Sequence, residues 1–281
     1  MKITVLMDNN TFVDQYYLGE PGLSYDIQAE GHHFLFDTGY SDAYLKNAEK
    51  MGIDWKNWKT IVISHGHADH SWGLMPLFQR YTEEAMKNKP VEKPSLMAHP
   101  EAFESKWKEN MELGSNMSKE SLSRAFSLIW KKEPQKLTDH LTYLGEIPRT
   151  NEFESQTTFG QTISDGTVQE DPVVDDTGLA YQTDQGLVVI TGCAHAGICN
   201  TIEHAKKVCG DERVLDIIGG FHLQQASAEV LQKTIQYLKQ QQPRFVYAAH
   251  CTDLPAKVAL SEHLNVKEVG VGLELLFGNS H

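Results

Sequence analysis

Short apolar runs of strand character recur along this chain. Residues 2–7, 23–29 and 33–37 read as strands, and Thr60-Ile61-Val62-Ile63 is a β-branched run that reads as a buried one. Further strands are expected near 95–98, 141–144, 179–183, 186–191, 213–219, 244–249 and 266–270. Between them, Asp42–Met51, Gly73–Arg80, 197–209, 224–241 and 255–263 carry helical spacing, with Leu74, Leu77 and Phe78 sharing one face. The alternation, with antiparallel-type pairs at both ends, predicts a mixed α/β fold.

Residues 80–150 break this rhythm. They are rich in Lys and Glu, with Phe103, Trp107, Met111, Met117, Phe126 and Trp130 interleaved. One reading is a lid or arm that shapes a substrate pocket. The other is a solvated helical decoration whose aromatics pack on the main body. No internal repeat or low-complexity segment stands out.

A chain of 281 residues holds one large α/β domain or two small ones. Its 40% apolar and 22% charged content fits a globular protein. A net charge of −13 argues against nucleic-acid binding but leaves room for a small anionic substrate. No apolar run is long enough for a membrane-spanning helix, and the N-terminus reads as a strand rather than a secretory signal. A cytoplasmic location is therefore expected. The four cysteines show no C-x-x-C spacing and read as thiols. Cys199 and Cys209 read as buried apolar residues, whereas Cys193 and Cys251 each lie within two positions of a candidate ligand histidine.

Candidate chemistry concentrates in Ser64-His65-Gly66-His67-Ala68-Asp69-His70. Four ligand-type side chains fall within six positions, on a loop expected at the carboxyl end of the strand. Imidazole and carboxylate are ligands that zinc, iron and manganese share. A lone histidine is ordinarily a surface or satisfied core residue, but four such groups together are poor core material. Two further strands end in the same way, at Thr191-Gly192-Cys193-Ala194-His195 and at His250. His222, after another apolar run, fits ligation and a substrate-facing role equally. Asp37 either orients a ligand histidine or shapes a turn. Asp8, Asn9 and Asn10 end the first strand, lining the same face of the sheet or forming an ordinary turn. Arg149 is a natural anchor for a carboxylate or phosphate, or a salt-bridge partner of Glu152 or Glu154.

The H-x-H-x-D-H motif after a hydrophobic strand, with Phe34-Leu35-Phe36-Asp37-Thr38-Gly39 upstream, resembles the metallo-β-lactamase fold superfamily. Val5-Leu6-Met7-Asp8-Asn9-Asn10, Thr191–Gly197, Gly219-Gly220-Phe221-His222-Leu223 and Ala249-His250-Cys251-Thr252 look like one branch of it. That branch holds predicted metal-dependent hydrolases and archaeal dihydropterin ribofuranosyl-aminobenzene phosphate synthases. The resemblance runs from the first strand to about Gly272. It implies an αββα sandwich, one domain over residues 1–281, with 80–150 as a helical insertion or lid.

The resemblance also implies a dinuclear centre, with His65, His67 and His195 on one ion and Asp69, His70 and His250 on the other. Where many members carry Thr-Gly-Asp, with the aspartate bridging, this chain has Thr-Gly-Cys. Cys193 could bridge as a thiolate, bind one ion or stand by. The expected cofactors are two divalent ions, zinc first, with iron or manganese as alternatives. Asp37 and Asp8 would support the ligands, and Arg149 and Asn9 would face substrate. The implied activity is metal-assisted hydrolysis of a small ester, lactone or phosphodiester, with Asp69 accepting a proton and His222 donating a hydrogen bond to substrate. Alternatives are a synthase of the archaeal kind and a metal-dependent ligand-binding or sensing protein. Expected partners are a small-molecule substrate and, at most, a second copy of the chain, with no nucleic acid and no membrane.

Overall fold

Seven strands hydrogen-bond into one sheet and six into another, in a computed structural model that describes residues 1–89, 91–156, 158–164 and 166–278. Each sheet belongs to its own unit. The first unit comprises Met1–Lys131, Phe159–Asp171 and Gly270–Leu276. The second comprises Lys132–Thr158, Pro172–Val269 and the residues from Phe277 on.

In the first unit the strand order is Glu274–Leu276, Lys2–Met7, Ser24–Ala29, His32–Phe36, Thr60–Val62, Ser95–Ala98 and Ser127–Trp130. Pairing is antiparallel as far as His32–Phe36 and parallel from there on. Parallel neighbours need crossovers, which the helices Ala43–Lys50 and Leu74–Met86 help to supply. Their apolar faces meet the sheet in a core built around Tyr44, Leu45, Trp58, Ile61, Leu74 and Leu77. The indole of Trp58 is satisfied by Asp26 Oδ1 at 2.7 Å, so burying it leaves no orphan donor.

The second unit orders its strands Phe245–Ala249, Val214–Gly220, Gly186–Thr191, Gly178–Thr183, Leu141–Tyr143 and Gln135–Lys136. The first three run parallel and the rest antiparallel. Helices Ile198–Cys209, Ala228–Gln241 and Leu254–Ser261 accompany this sheet. Ala228–Gln241 starts four residues later than its periodicity predicts, because Ser227 caps it by accepting from the Val230 N–H.

Two expectations change. The strand expected at 266–270 is reduced to a single bridge between Val246 and Val266, and the strand that forms there is Glu274–Leu276, paired with Lys2–Thr4. Residues 80–150 are not a helical insertion. They supply two strands of the first sheet, two of the second, and two of a small third sheet. That third sheet, in the first unit, joins Lys106–Lys108 and Met111–Glu112 to the hairpin Gln161–Ser164 and Thr167–Glu170. Their one further helix, Lys119–Ala125, is seven residues long. Phe103, Met117 and Phe126 lie in the first unit's core. Charged composition suggests helix locally, but burial of these apolar side chains and long-range pairing of the neighbouring strands decide the structure. Among the described residues no helix is long and apolar enough to cross a membrane.

Candidate metal centre

The strand Thr60–Val62 is held on both sides by parallel neighbours, so the chain beyond it leaves from a rigid base. Ser64 is tied at once to Asp37, which ends the adjacent strand. The Ser64 N–H donates to Asp37 Oδ1 at 2.7 Å and its hydroxyl to Oδ2 at 2.7 Å. His70 Nδ1 lies 2.6 Å from the same Oδ2. Asp37 is fully buried, with a left-handed φ of 58°, an uncommon backbone state for a residue with a side chain. Thr38 then receives the segment, its N–H and hydroxyl both donating to His70 O.

This network assigns the imidazole tautomers. The carboxylate can only accept, so His70 Nδ1 carries the proton and Nε2 presents its lone pair. The Ser64 hydroxyl has spent its hydrogen on Asp37, so it accepts from His65 Nδ1 at 3.0 Å. His65 Nε2 then presents a lone pair as well. It lies 3.0 Å from His67 Nδ1. Two imidazole nitrogens on adjacent corners of a tetrahedral zinc would stand about 3.3 Å apart. The donor pair thus fits a metal ion.

Instead of the expected loop, a single helical turn, Ala68–Ser71, carries Asp69 and His70. It places Asp69 Oδ2 3.8 Å from His70 Nε2, with the carboxylate side chain one-third exposed. Gly66 makes the tight approach possible, because a Cβ there would lie 1.6 Å from Ala102 O.

The small sheet reaches the same segment. Ala68 N–H donates to Leu113 O at 2.8 Å and Trp72 Nε1 to Gly114 O at 2.7 Å. The Phe159 ring packs 5.4 Å from that of His67. Phe159 is fixed by its N–H on Asp171 O, and the Asp171 carboxylate forms a fully buried ion pair with Lys106 at 2.9 Å. Strand alternation puts Lys106 and Lys108 on one face. Lys108, unlike Lys106, has no carboxylate partner among the described residues, and its Nζ sits 5.3 Å from the Phe159 ring centre.

In the second unit three parallel strands end side by side. Cys193 Sγ, a nitrogen of His195 and a nitrogen of His222 lie within 4.8 Å of one another. So do Cys193 Sγ, a nitrogen of His250 and Cys251 Sγ. The turns carrying them are strained. Ala194, His222 and His250 all have φ near 50°, a state that persists only where surrounding structure enforces it. Cys193 and His195 are buried and His222 is exposed. Burial alone would push the Cys251 thiol up, but hydrogen bonding with Cys193 and His222 and the nearby imidazoles hold it well below its ordinary value.

Asp176 is a residue that sequence reasoning missed. It is buried and accepts from the Ala196 N–H at 2.7 Å, fixing the turn that carries His195. Burial pushes its carboxyl up to about 7 against that hydrogen bond. The signal was present, since Asp176-Thr177-Gly178 repeats the Asp37-Thr38-Gly39 pattern. Ser64 was missed too, because serine carries no ligand signature.

Asp8 is buried and its Oδ1 accepts from the Asn10 N–H, forming a turn beside exposed Asn9. Arg149 is not paired with Glu152 or Glu154. It donates to Ser155 Oγ and to the carbonyls of Pro172 and Val173, clamping two loops together. Glu154 instead caps the helix Ile198–Cys209, accepting from the N–H groups of Cys199 and Asn200 at 2.9 and 3.0 Å.

Each unit therefore presents nitrogen, sulfur or carboxylate donors at the carboxyl ends of parallel strands, preset by buried hydrogen bonds, as a resident metal requires. Comparison with known proteins agrees. A 7,8-dihydropterin-6-methyl-4-(beta-D-ribofuranosyl)-aminobenzene-5'-phosphate synthase of Methanocaldococcus jannaschii is 28% identical over 271 residues, covering 92% of this chain and 89% of that protein. An uncharacterized protein of the same archaeon is 30% identical over 92% of this chain and 94% of its own length. A solved metal-dependent hydrolase of the beta-lactamase superfamily superposes with a TM-score of 0.84 at 26% identity, covering 99% of this chain and 100% of the other. Residues 18–250 match the metallo-beta-lactamase superfamily, and the chain belongs to that family.

Proposed function

We propose that the chain is a metal-dependent hydrolase acting on a small ester, lactone or phosphodiester. Its ligands for two divalent ions are His65, His67, Asp69 and His70 in the first unit and Cys193, His195 and His250 in the second. The observation that carries this reading is the buried relay through Asp37 and Ser64, which turns the Nε2 lone pairs of His70 and His65 outward. The solved metal-dependent hydrolase with the same fold supports it. Bound ions supply Lewis acidity to the scissile bond and make hydroxide available near neutral pH. Thiolate participation favours zinc or iron over manganese.

The chain's own groups divide the remaining work. Asp69, one-third exposed beside His70, is placed to take up a proton as well as to ligate. His222, exposed with its ring centre 4.2 Å from that of His195, donates to the substrate. With Arg149 occupied by backbone carbonyls, Lys108, over the Phe159 ring that packs on His67, is the cation offered to an anionic substrate group among the described residues of this unit. A cytoplasmic location, a small-molecule substrate and no nucleic-acid or membrane partner belong to the same reading, which allows at most a second copy of the chain as a macromolecular partner.

A second reading is favoured by a specific finding. The relative at 28% identity is named as a 7,8-dihydropterin-6-methyl-4-(beta-D-ribofuranosyl)-aminobenzene-5'-phosphate synthase. Zinc-loaded protein assayed with p-nitrophenyl acetate, γ-butyrolactone and bis(p-nitrophenyl) phosphate separates the two. Hydrolysis of one class, lost together with metal in His65→Ala and His67→Ala, is the expected result. Metal-replete protein inert to all three, yet active in the condensation, would replace hydrolysis by synthesis. Inertness in every assay would sink both and leave binding or sensing.

A further inference from the structure

Cys193 and Cys251 each lie two residues beyond a strand, and the strand Val214–Gly220 separates those two strands in the sheet. The turns that carry them close over its end only because that strand finishes in Gly219-Gly220. A Cβ on Gly220 would lie 2.5 Å from Gly192 O and 2.6 Å from Cys251 Sγ. One on Gly219 would lie 2.1 Å from Thr191 O. The two thiols are thus brought over a glycine floor into a group with a His250 nitrogen, all three ligand atoms within 4.8 Å of one another. The Gly220 N–H bonds Gly192 O at 3.0 Å, and the His222 N–H donates to Cys251 Sγ at 3.2 Å. A backbone N–H aimed at sulfur is the kind of outer hydrogen bond that orients and tunes a thiolate ligand.

We propose that Cys251 is itself a metal ligand, acting with Cys193 and His250, so that this unit grips its ion through two sulfurs and an imidazole. The inference rests on the metal-binding reading above and adds a ligand to it. Two thiolates shift the preference of the site toward zinc, iron and cobalt and away from manganese and magnesium, whose chemistry suits oxygen donors. The competing role for Cys251 is that of a structural thiol donating to Cys193 O, a contact of 3.4 Å.

Cobalt(II) loading of the full chain under reducing conditions decides between them without reference to activity. Two thiolate ligands give a sulfur-to-cobalt charge-transfer band in the near ultraviolet. Cys193→Ser and Cys251→Ser should each remove about half of it. Each should also weaken zinc binding by more than the ~100-fold upper end of what loss of an outer hydrogen bond costs. Cys199→Ser, on the helix Ile198–Cys209, should leave band and affinity unchanged. A full band and undiminished zinc affinity in Cys251→Ser would overturn the assignment. Cobalt bound by the wild-type chain without any thiolate band would overturn it while leaving the metal-binding reading intact. No cobalt bound at all would overturn both.

Discussion

Asp37 gathers three donors onto one buried carboxylate, and the placement of Ser64 and His70 depends on that arrangement. Asp37→Asn would keep the shape but offer an amide donor where His70 Nδ1–H needs an acceptor. Metal affinity is expected to fall by about 10- to 100-fold, measured by competition with a chromogenic chelator. Unchanged affinity would show that His70 needs no orienting partner. Lys108 is a second residue-scale case. Lys108→Ala should raise KM for an anionic substrate by ~10-fold, the effect of one charge-assisted hydrogen bond. It should leave KM for p-nitrophenyl acetate and metal content unaltered, and equal effects on both substrates would refute the anchor. The motif H-x-H-x-D-H was legible because ligand chemistry is written in residue type. Ser64 and Asp176 were not, since an ordinary serine or aspartate becomes decisive only through what it touches.

Among the elements, the helix Ile198–Cys209 carries a pH-dependent contribution. His204 Nε2 donates to Leu144 O at 2.9 Å. Burial lowers the pKa of His204, the Leu144 carbonyl opposes that, and Lys207 adds to it. The unfolded imidazole titrates near about 6.5. Its contribution to stability is therefore complete above that pH and is lost as pH falls toward the lowered folded value. Denaturant unfolding between pH 7.5 and 5 should show a shallower acid loss in His204→Gln than in wild type, and identical slopes would disprove the linkage. At this scale the periodicities located most strands and helices within a few residues, because burial on one face repeats at the period of the element. The boundaries moved where a cap intervened, as at Ser227, or where a distant partner decided, as with Glu274–Leu276.

For the molecule, residues 106–112 and 159–171 meet in one small sheet although about fifty residues separate them, and the Lys106–Asp171 pair joins them. Lys106→Met leaves the Asp171 carboxylate buried without its cation and should cost about 3–5 kcal/mol, read by denaturant unfolding. The double variant Lys106→Met, Asp171→Leu should recover most of that loss, and an equally unstable double variant would show that packing rather than charge pairing is at stake. Residues 80–150 suggested a helical insertion or a lid because local composition is all that a single stretch displays. Their partners lie elsewhere in the chain, and pairing with them made strands of that stretch. By itself, the sequence determined the family, the α/β alternation and the residue types able to hold metal, since periodicity and ligand chemistry are local properties. Only the tertiary structure decided which nitrogen each histidine presents, that Arg149 is spent on backbone carbonyls, and that Cys251 comes to stand with Cys193 and His250. Those depend on hydrogen bonds and close approaches between residues far apart in the chain, and no local pattern encodes them.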